Sequence, residues 1–141
     1  MKEVDEYVQK FGRDKVLDTL KVLDADPADT LTIIGNDAQH HIPRQFLRGQ
    51  VIVAYSGSMK FSPASEITAG YIQMLKTIVP VLKQKQWKRI YLIPMGHCSV
   101  SMILKSVVQR ITSIDTIDVI HVGEGEYFEL EMNLREVISN I

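Results

Sequence analysis

The chain has a single cysteine among its 141 residues. That excludes an internal disulfide and any zinc cluster built on several thiolates, and it suits a reducing cytosol. No apolar run reaches 18 residues, and Lys2 and Glu3 lead into an amphipathic segment rather than a signal-peptide core. Neither a membrane span nor secretion is therefore expected, and the expected location is cytoplasmic. An excess of either charge is also missing: 16 Lys and Arg face 17 Asp and Glu, for a net charge of −1. Tight binding to long nucleic acid, which needs many phosphate contacts, is disfavoured, whereas a small anionic ligand in a local pocket is not. No G-x-G-x-x-G and no phosphate-binding loop follows any apolar run, so dinucleotide dehydrogenases and phosphate-loop NTPases are poor readings and no cofactor is expected. His40 and His41 are adjacent and so point apart, with no acidic or Cys partner at ligand spacing. No metal site is read.

What remains is an average globular composition, 45% apolar and 23% charged, in one domain's length of chain. Its most informative stretch runs from Arg89 to Gln109. Ile90, Tyr91, Leu92 and Ile93 form a short apolar run that Pro94 ends, the pattern of a buried strand. The period then changes: Val100, Ile103, Leu104, Val107, Val108 and Ile111 make one stripe of an amphipathic helix. Between them Gly96-His97-Cys98-Ser99 is a glycine-led turn in which Ser99 or Ser101 can cap the helix. Backbone N–H groups, hydroxyls and a helix start thus meet at the carboxyl end of a strand, where open α/β sheets bind ligands.

Along the chain, residues 1–30 form a helical segment, either two short helices or one broken at Gly12, followed by an acidic turn. Leu31–Ile34 is a strand closed by the turn residues Gly35-Asn36-Asp37. Ala38–Gln50 reads as a polar, basic surface connection with a short helix opened by Pro43. Val51–Tyr55 is a second strand, and Ser56-Gly57-Ser58 follows at once. Ser62 and Pro63 open a helix whose stripe is Ile67, Tyr71, Met74, Leu75, Ile78 and Leu82, with Pro80 expected to kink it or end it early. Ile117–Val122 and the alternating Phe128, Leu130, Met132 and Leu134 flank a glycine-rich turn and read as a hairpin. Strands separated by helices imply right-handed crossovers. The expected fold is α/β: a Rossmann-like three-layer domain with a mostly parallel sheet and a C-terminal β-hairpin, forming a single domain over residues 1–141.

The two strand-end loops, Tyr55–Lys60 and Gly96–Ser101, lie side by side if their strands are neighbours. Their candidate ligand-binding residues are Tyr55, Ser56, Gly57, Ser58 and Lys60 in the first and Gly96, His97, Ser99 and Ser101 in the second, with Lys105 reaching inward from the helix. Hydroxyls and N–H groups at helix starts cradle phosphate, and Tyr55 can stack on a base. Cys98 beside His97 at a helix start suits a thiolate, but a base from elsewhere in the chain is not legible, so no catalytic residue is assigned.

The run from Val51 to Leu134 resembles one half of a SAVED domain, the CARF-derived cyclic-oligonucleotide sensor of bacterial antiphage systems. The resemblance is carried by the strand ending in Tyr55-Ser-Gly-Ser58, the long helix after it, Arg89-Ile-Tyr-Leu-Ile-Pro-Met-Gly-His-Cys-Ser-Val-Ser-Met-Ile-Leu104, and the closing hairpin with Tyr127-Phe-Glu-Leu-Glu-Met132. It implies that residues 31–141 are one CARF-like unit and that a cyclic oligonucleotide or other nucleotide is the ligand. A full SAVED domain fuses two such units, and this chain has room for one, so the resemblance implies a pocket completed by a homo-oligomer. It also leaves open a ring nuclease of the same fold, and a subunit that docks an effector protein through its N-terminal helices.

Overall fold

The computed structural model describes residues 2–24, 27–37, 41–58 and 62–141, side chains at 18 and 21–24 excepted. Five strands form one sheet: β1 Thr30–Asn36, β2 Gln50–Tyr55, β3 Arg89–Ile93, β4 Ile117–Gly123 and β5 Glu126–Leu130. Their order is β2-β1-β3-β4-β5. The first four are parallel, and β5 pairs antiparallel to β4 across a tight turn. The five helices are α1 Lys2–Phe11, α2 Arg13–Asp24, α3 Ala64–Lys83, α4 Cys98–Thr112 and α5 Leu134–Ser139.

The direction of each crossover decides which face each connection covers. From β2 to β3 and from β3 to β4 the chain moves the same way across the sheet, so right-handed crossovers lay α3 and α4 on one face. Met74, Ile78 and Leu82 of α3 and Val100, Leu104 and Val108 of α4 bury there against Leu31, Ile33, Ile90 and Leu92. From β1 to β2 the chain moves the opposite way, and the same handedness sends that connection to the other face. Only thirteen residues separate Asn36 from Gln50, and they include Pro43, too little for a packed helix. They form a 3-10 turn over Arg44–Phe46 instead. Ile42, Phe46 and Leu47 cover Ile34, Tyr91, Ile93, Ile117 and Val119. The sandwich expected to have three layers thus has a helical layer on one face only, and its third layer is this strap of coil. The connection read as a polar surface segment supplies that strap's core, with the Phe46 ring centred 4.7 Å from that of Tyr127 of β5 and tilted 44° to it.

Arg48 fastens the strap. Its backbone carbonyl accepts from the Thr32 hydroxyl at 2.6 Å, and its N–H donates back to the same oxygen at 3.1 Å. Its guanidinium lies 4.3 Å above the Tyr91 ring and ends in an ion pair with Glu129. One residue, through its backbone and its side chain together, therefore links β1, β3 and β5 across the face. Burial alone would favour neutral Arg48, but the hydrogen bond and charge of Glu129, with Tyr91, outweigh it and raise its pKa above the ordinary arginine value. The guanidinium is charged at every pH at which the protein is handled.

Several local expectations shift. Gly12, at φ +85°, separates α1 from α2 as one of the two readings had it. α3 begins at Ala64, one residue after Pro63, and runs past Pro80 to Lys83, because the burial of Ile78 and Leu82 outweighs the hydrogen bond that Pro80 cannot donate. β5 ends at Leu130, so Met132 and Leu134 do not continue the strand, and Leu134 opens α5. The N-terminal pair stands apart from the core: α1 buries no residue, and Val4, Tyr7, Phe11, Leu17 and Leu20 are 40–61% exposed.

Replacing Arg48 with Ala is expected to destabilise the fold by about 2 kcal/mol, since the half-buried Glu129 loses its partner and Tyr91 its cover. Lys88→Ala, which removes an exposed pair to Asp29 at 3.6 Å, should change stability by less than about 0.5 kcal/mol. Urea unfolding of both variants measures the difference.

Candidate functional site at the carboxyl edge of the sheet

Parallel pairing brings the carboxyl ends of β1, β2 and β3 to one edge, with Asn36 opposite Tyr55 and Ile34 opposite Ile93. The loops after β2 and β3 were expected side by side, but their strands are not neighbours. β1 lies between them, and its last residue spans the gap. Asn36 is 9% exposed and its Nδ2 donates to the Gly57 carbonyl at 2.8 Å. On the other side the β3–α4 loop presses onto the same residue. A Cβ built on Gly96, which has φ +94°, would come within 2.7 Å of the Asn36 Cβ, and one on Gly35 within 2.5 Å of the Met95 carbonyl. These contacts require glycine on both segments, by close approach at Gly35 and by conformation as well at Gly96.

The start of α4 is built differently from the expectation. His97, not Ser99 or Ser101, is the N-cap, and its Nδ1 accepts from the Ser99 backbone N–H at 3.2 Å. The Ser99 hydroxyl lies 2.7 Å from the same nitrogen and is also hydrogen-bonded to the Tyr71 hydroxyl of α3. A row of three polar side chains therefore ties α3 to the first turn of α4. Serine is the commoner cap by propensity. Here the Ser99 hydroxyl is held by two other side chains, and the imidazole takes its place at the backbone.

The candidate residues fall into three groups. Ser56, Gly57 and Ser58, with Gly96, His97 and Ser99, sit at the carboxyl edge, all exposed but Ser99, which is half-buried. Tyr55 is there too, but it is half-buried against the core under α3, where a Cβ built on Gly70 would lie 3.4 Å from its ring, so it is a wall of the site and not a loose stacking platform. Ser101 is half-buried in the first turn of α4. Lys60 lies outside the described residues. Lys105 sits two turns along α4, where its Nζ donates to Asp118 Oδ2 at 2.6 Å and to Thr116 Oγ1 at 2.9 Å, while Thr116 donates to Asp118 Oδ1. That closed triad joins α4 to the amino end of β4 and turns Lys105 away from the loops. Sequence reasoning misses Asn36, which reads as part of a turn, and Tyr71, which reads as core. The signal for Asn36 was a polar amide directly after a strand glycine. Tyr71 carried none beyond its hydroxyl in an otherwise aliphatic stripe.

The arrangement offers hydroxyls, an amide and a helix start around an open edge, the chemistry of an anion or polar-ligand site. Among the described residues no three His, Cys, Asp or Glu side chains come together as a metal site. Nor is any described helix long and apolar enough to cross a membrane. No protein-family model, no curated protein and no solved structure matches the chain.

Gly96→Ala should cost at least about 2 kcal/mol, combining a left-handed backbone with a Cβ clash against Asn36. A thermal melt that remains at the parent temperature would show that Asn36 and the β3–α4 loop are not in contact.

Proposed function

We propose that the protein is a binding module for a cyclic oligonucleotide or other phosphate-bearing nucleotide, a Rossmann-like unit of the CARF/SAVED kind that acts in antiphage signalling through self-association. The observation that carries this reading is the convergence at one edge of the Ser56–Ser58 loop, Asn36 and the start of α4. That set combines small hydroxyl side chains and glycine backbone with a helix N-terminus, which suits phosphate oxygens, and Tyr55 gives one aromatic wall. The edge is open, and a ligand of oligonucleotide size would extend beyond a single chain's loops. On this reading a second copy completes the pocket.

Catalysis is a second reading, supported by the Ser99 hydroxyl beside the His97 imidazole. A ring nuclease would use that pair for acid–base work at a phosphodiester. Docking of an effector protein is a further role, supported by the exposed apolar stripe of α1 and α2.

Calorimetry against cyclic di- and trinucleotides tests the binding, followed by mass spectrometry of the recovered ligand. Ser99→Asp puts a negative charge in the first turn of α4 and should abolish binding while the melt stays cooperative; unchanged affinity would remove the site. Lys60→Ala is expected to weaken binding by about 1.5–3 kcal/mol if its ammonium meets a phosphate. Ligand recovered intact supports the binder. Cleaved ligand, with the rate cut roughly 10²–10⁴-fold in His97→Ala, supports the nuclease. Light scattering with bound ligand should show an assembly larger than one chain.

A further inference from the structure

We infer that β2 is a self-pairing edge: two copies of the chain join antiparallel along Gln50–Tyr55 to make one continuous ten-stranded sheet. The sheet has two edges, β2 and β5. A bare edge strand presents a row of unpaired backbone donors and acceptors, and proteins that stay monomeric blunt such edges with charge, proline, bulges or covering elements. The β5 edge is protected in this way. Glu124, Glu126, Glu129 and Glu131 crowd the hairpin, and the β4–β5 register shifts between His121 and Gly123. Two β5 strands brought together would gather the carboxylates of Glu124, Glu126 and Glu131 from each copy at one seam, Glu129 being paired with Arg48.

Among the described residues the β2 edge has none of these devices. Its sequence, Gln-Val-Ile-Val-Ala-Tyr, holds no charge and no proline, and its pairing with β1 keeps one register from Leu31↔Gln50 to Asn36↔Tyr55. Among the described residues it pairs with β1 alone. Val51 is 41% exposed although it is β-branched and apolar. A two-fold axis through Val53 sets Val53 opposite its own copy, Ile52 opposite Ala54, Val51 opposite Tyr55 and Gln50 opposite Ser56, so no facing pair brings two charges together. The strand is self-complementary because it carries no sign of charge. This pairing is separate from the ligand-driven association proposed above. It sends the carboxyl edges of the two copies to opposite ends of the joint sheet, so their candidate sites do not meet, and it needs no ligand.

Sedimentation of the ligand-free chain tests it, apart from any nucleotide. The parent protein should run at twice the mass of one chain at high micromolar concentration, the weak end of specific interfaces. Val51→Lys should raise the dissociation constant at least tenfold with a cooperative melt retained. Gln50→Lys, at an exposed position on the same edge, should do the same and serves if Val51→Lys fails to fold. Phe128→Lys on β5 should leave the dimer intact. A parent chain that stays at single-chain mass, or a dimer that Phe128→Lys dissociates and both β2 variants spare, would overturn the inference.

Discussion

The reach of Arg48 across the sheet is the interaction on which the second face depends. Without a helix there, the β1–β2 connection has to hold Phe46, Ile42 and Leu47 against five buried apolar side chains by itself. Coil has no internal ladder to keep it in place. The strap is fixed at its far end by backbone and side chain of one residue: Thr32 grips the Arg48 peptide, and Glu129 and Tyr91 hold its guanidinium. That end is also held by the chain itself, since β2 begins two residues later. The same contact secures β5, which pairs with one strand only and whose edge glutamates would otherwise repel one another.

The helical face rests on a simpler principle. Two crossovers of the same hand, moving in the same direction, put two amphipathic stripes side by side, and apolar burial does the rest. The Lys105–Asp118–Thr116 triad and the Tyr71–Ser99–His97 row then fix α4 at its middle and its start. The start of α4 is consequently held at the carboxyl edge of the sheet.

Much of this was legible in the chain. The strand, turn and helix of Arg89–Gln109 follow from a change of apolar period, and the hairpin from its glycines and alternation. Layering was less accessible, because Phe46 and Arg48 lie in a stretch with no period, and nothing local distinguishes a buried strap from a solvated loop. Strand order was also hidden. Parallel strands of similar apolar content carry no mark of which neighbour they choose, so the intervention of β1 between the two candidate loops, and with it the bridging role of Asn36, appears only once the sheet is assembled. Lys105 illustrates the limit for single side chains: a helical position that can reach inward does not say which acid it will meet.

The cap on α4 also sets the direction of every proton in its polar row. A backbone N–H can only donate, so the Nδ1 that receives the Ser99 amide holds a lone pair, and the neutral imidazole carries its hydrogen on Nε2. Ser99 must then give its hydroxyl hydrogen to that same nitrogen, and Tyr71 must give its own to Ser99. The row is a one-way wire, polarised from the phenol of α3 to the imidazole, and the outer edge of the ring behaves as a donor. Any group that hydrogen-bonds to that edge has to bring an acceptor.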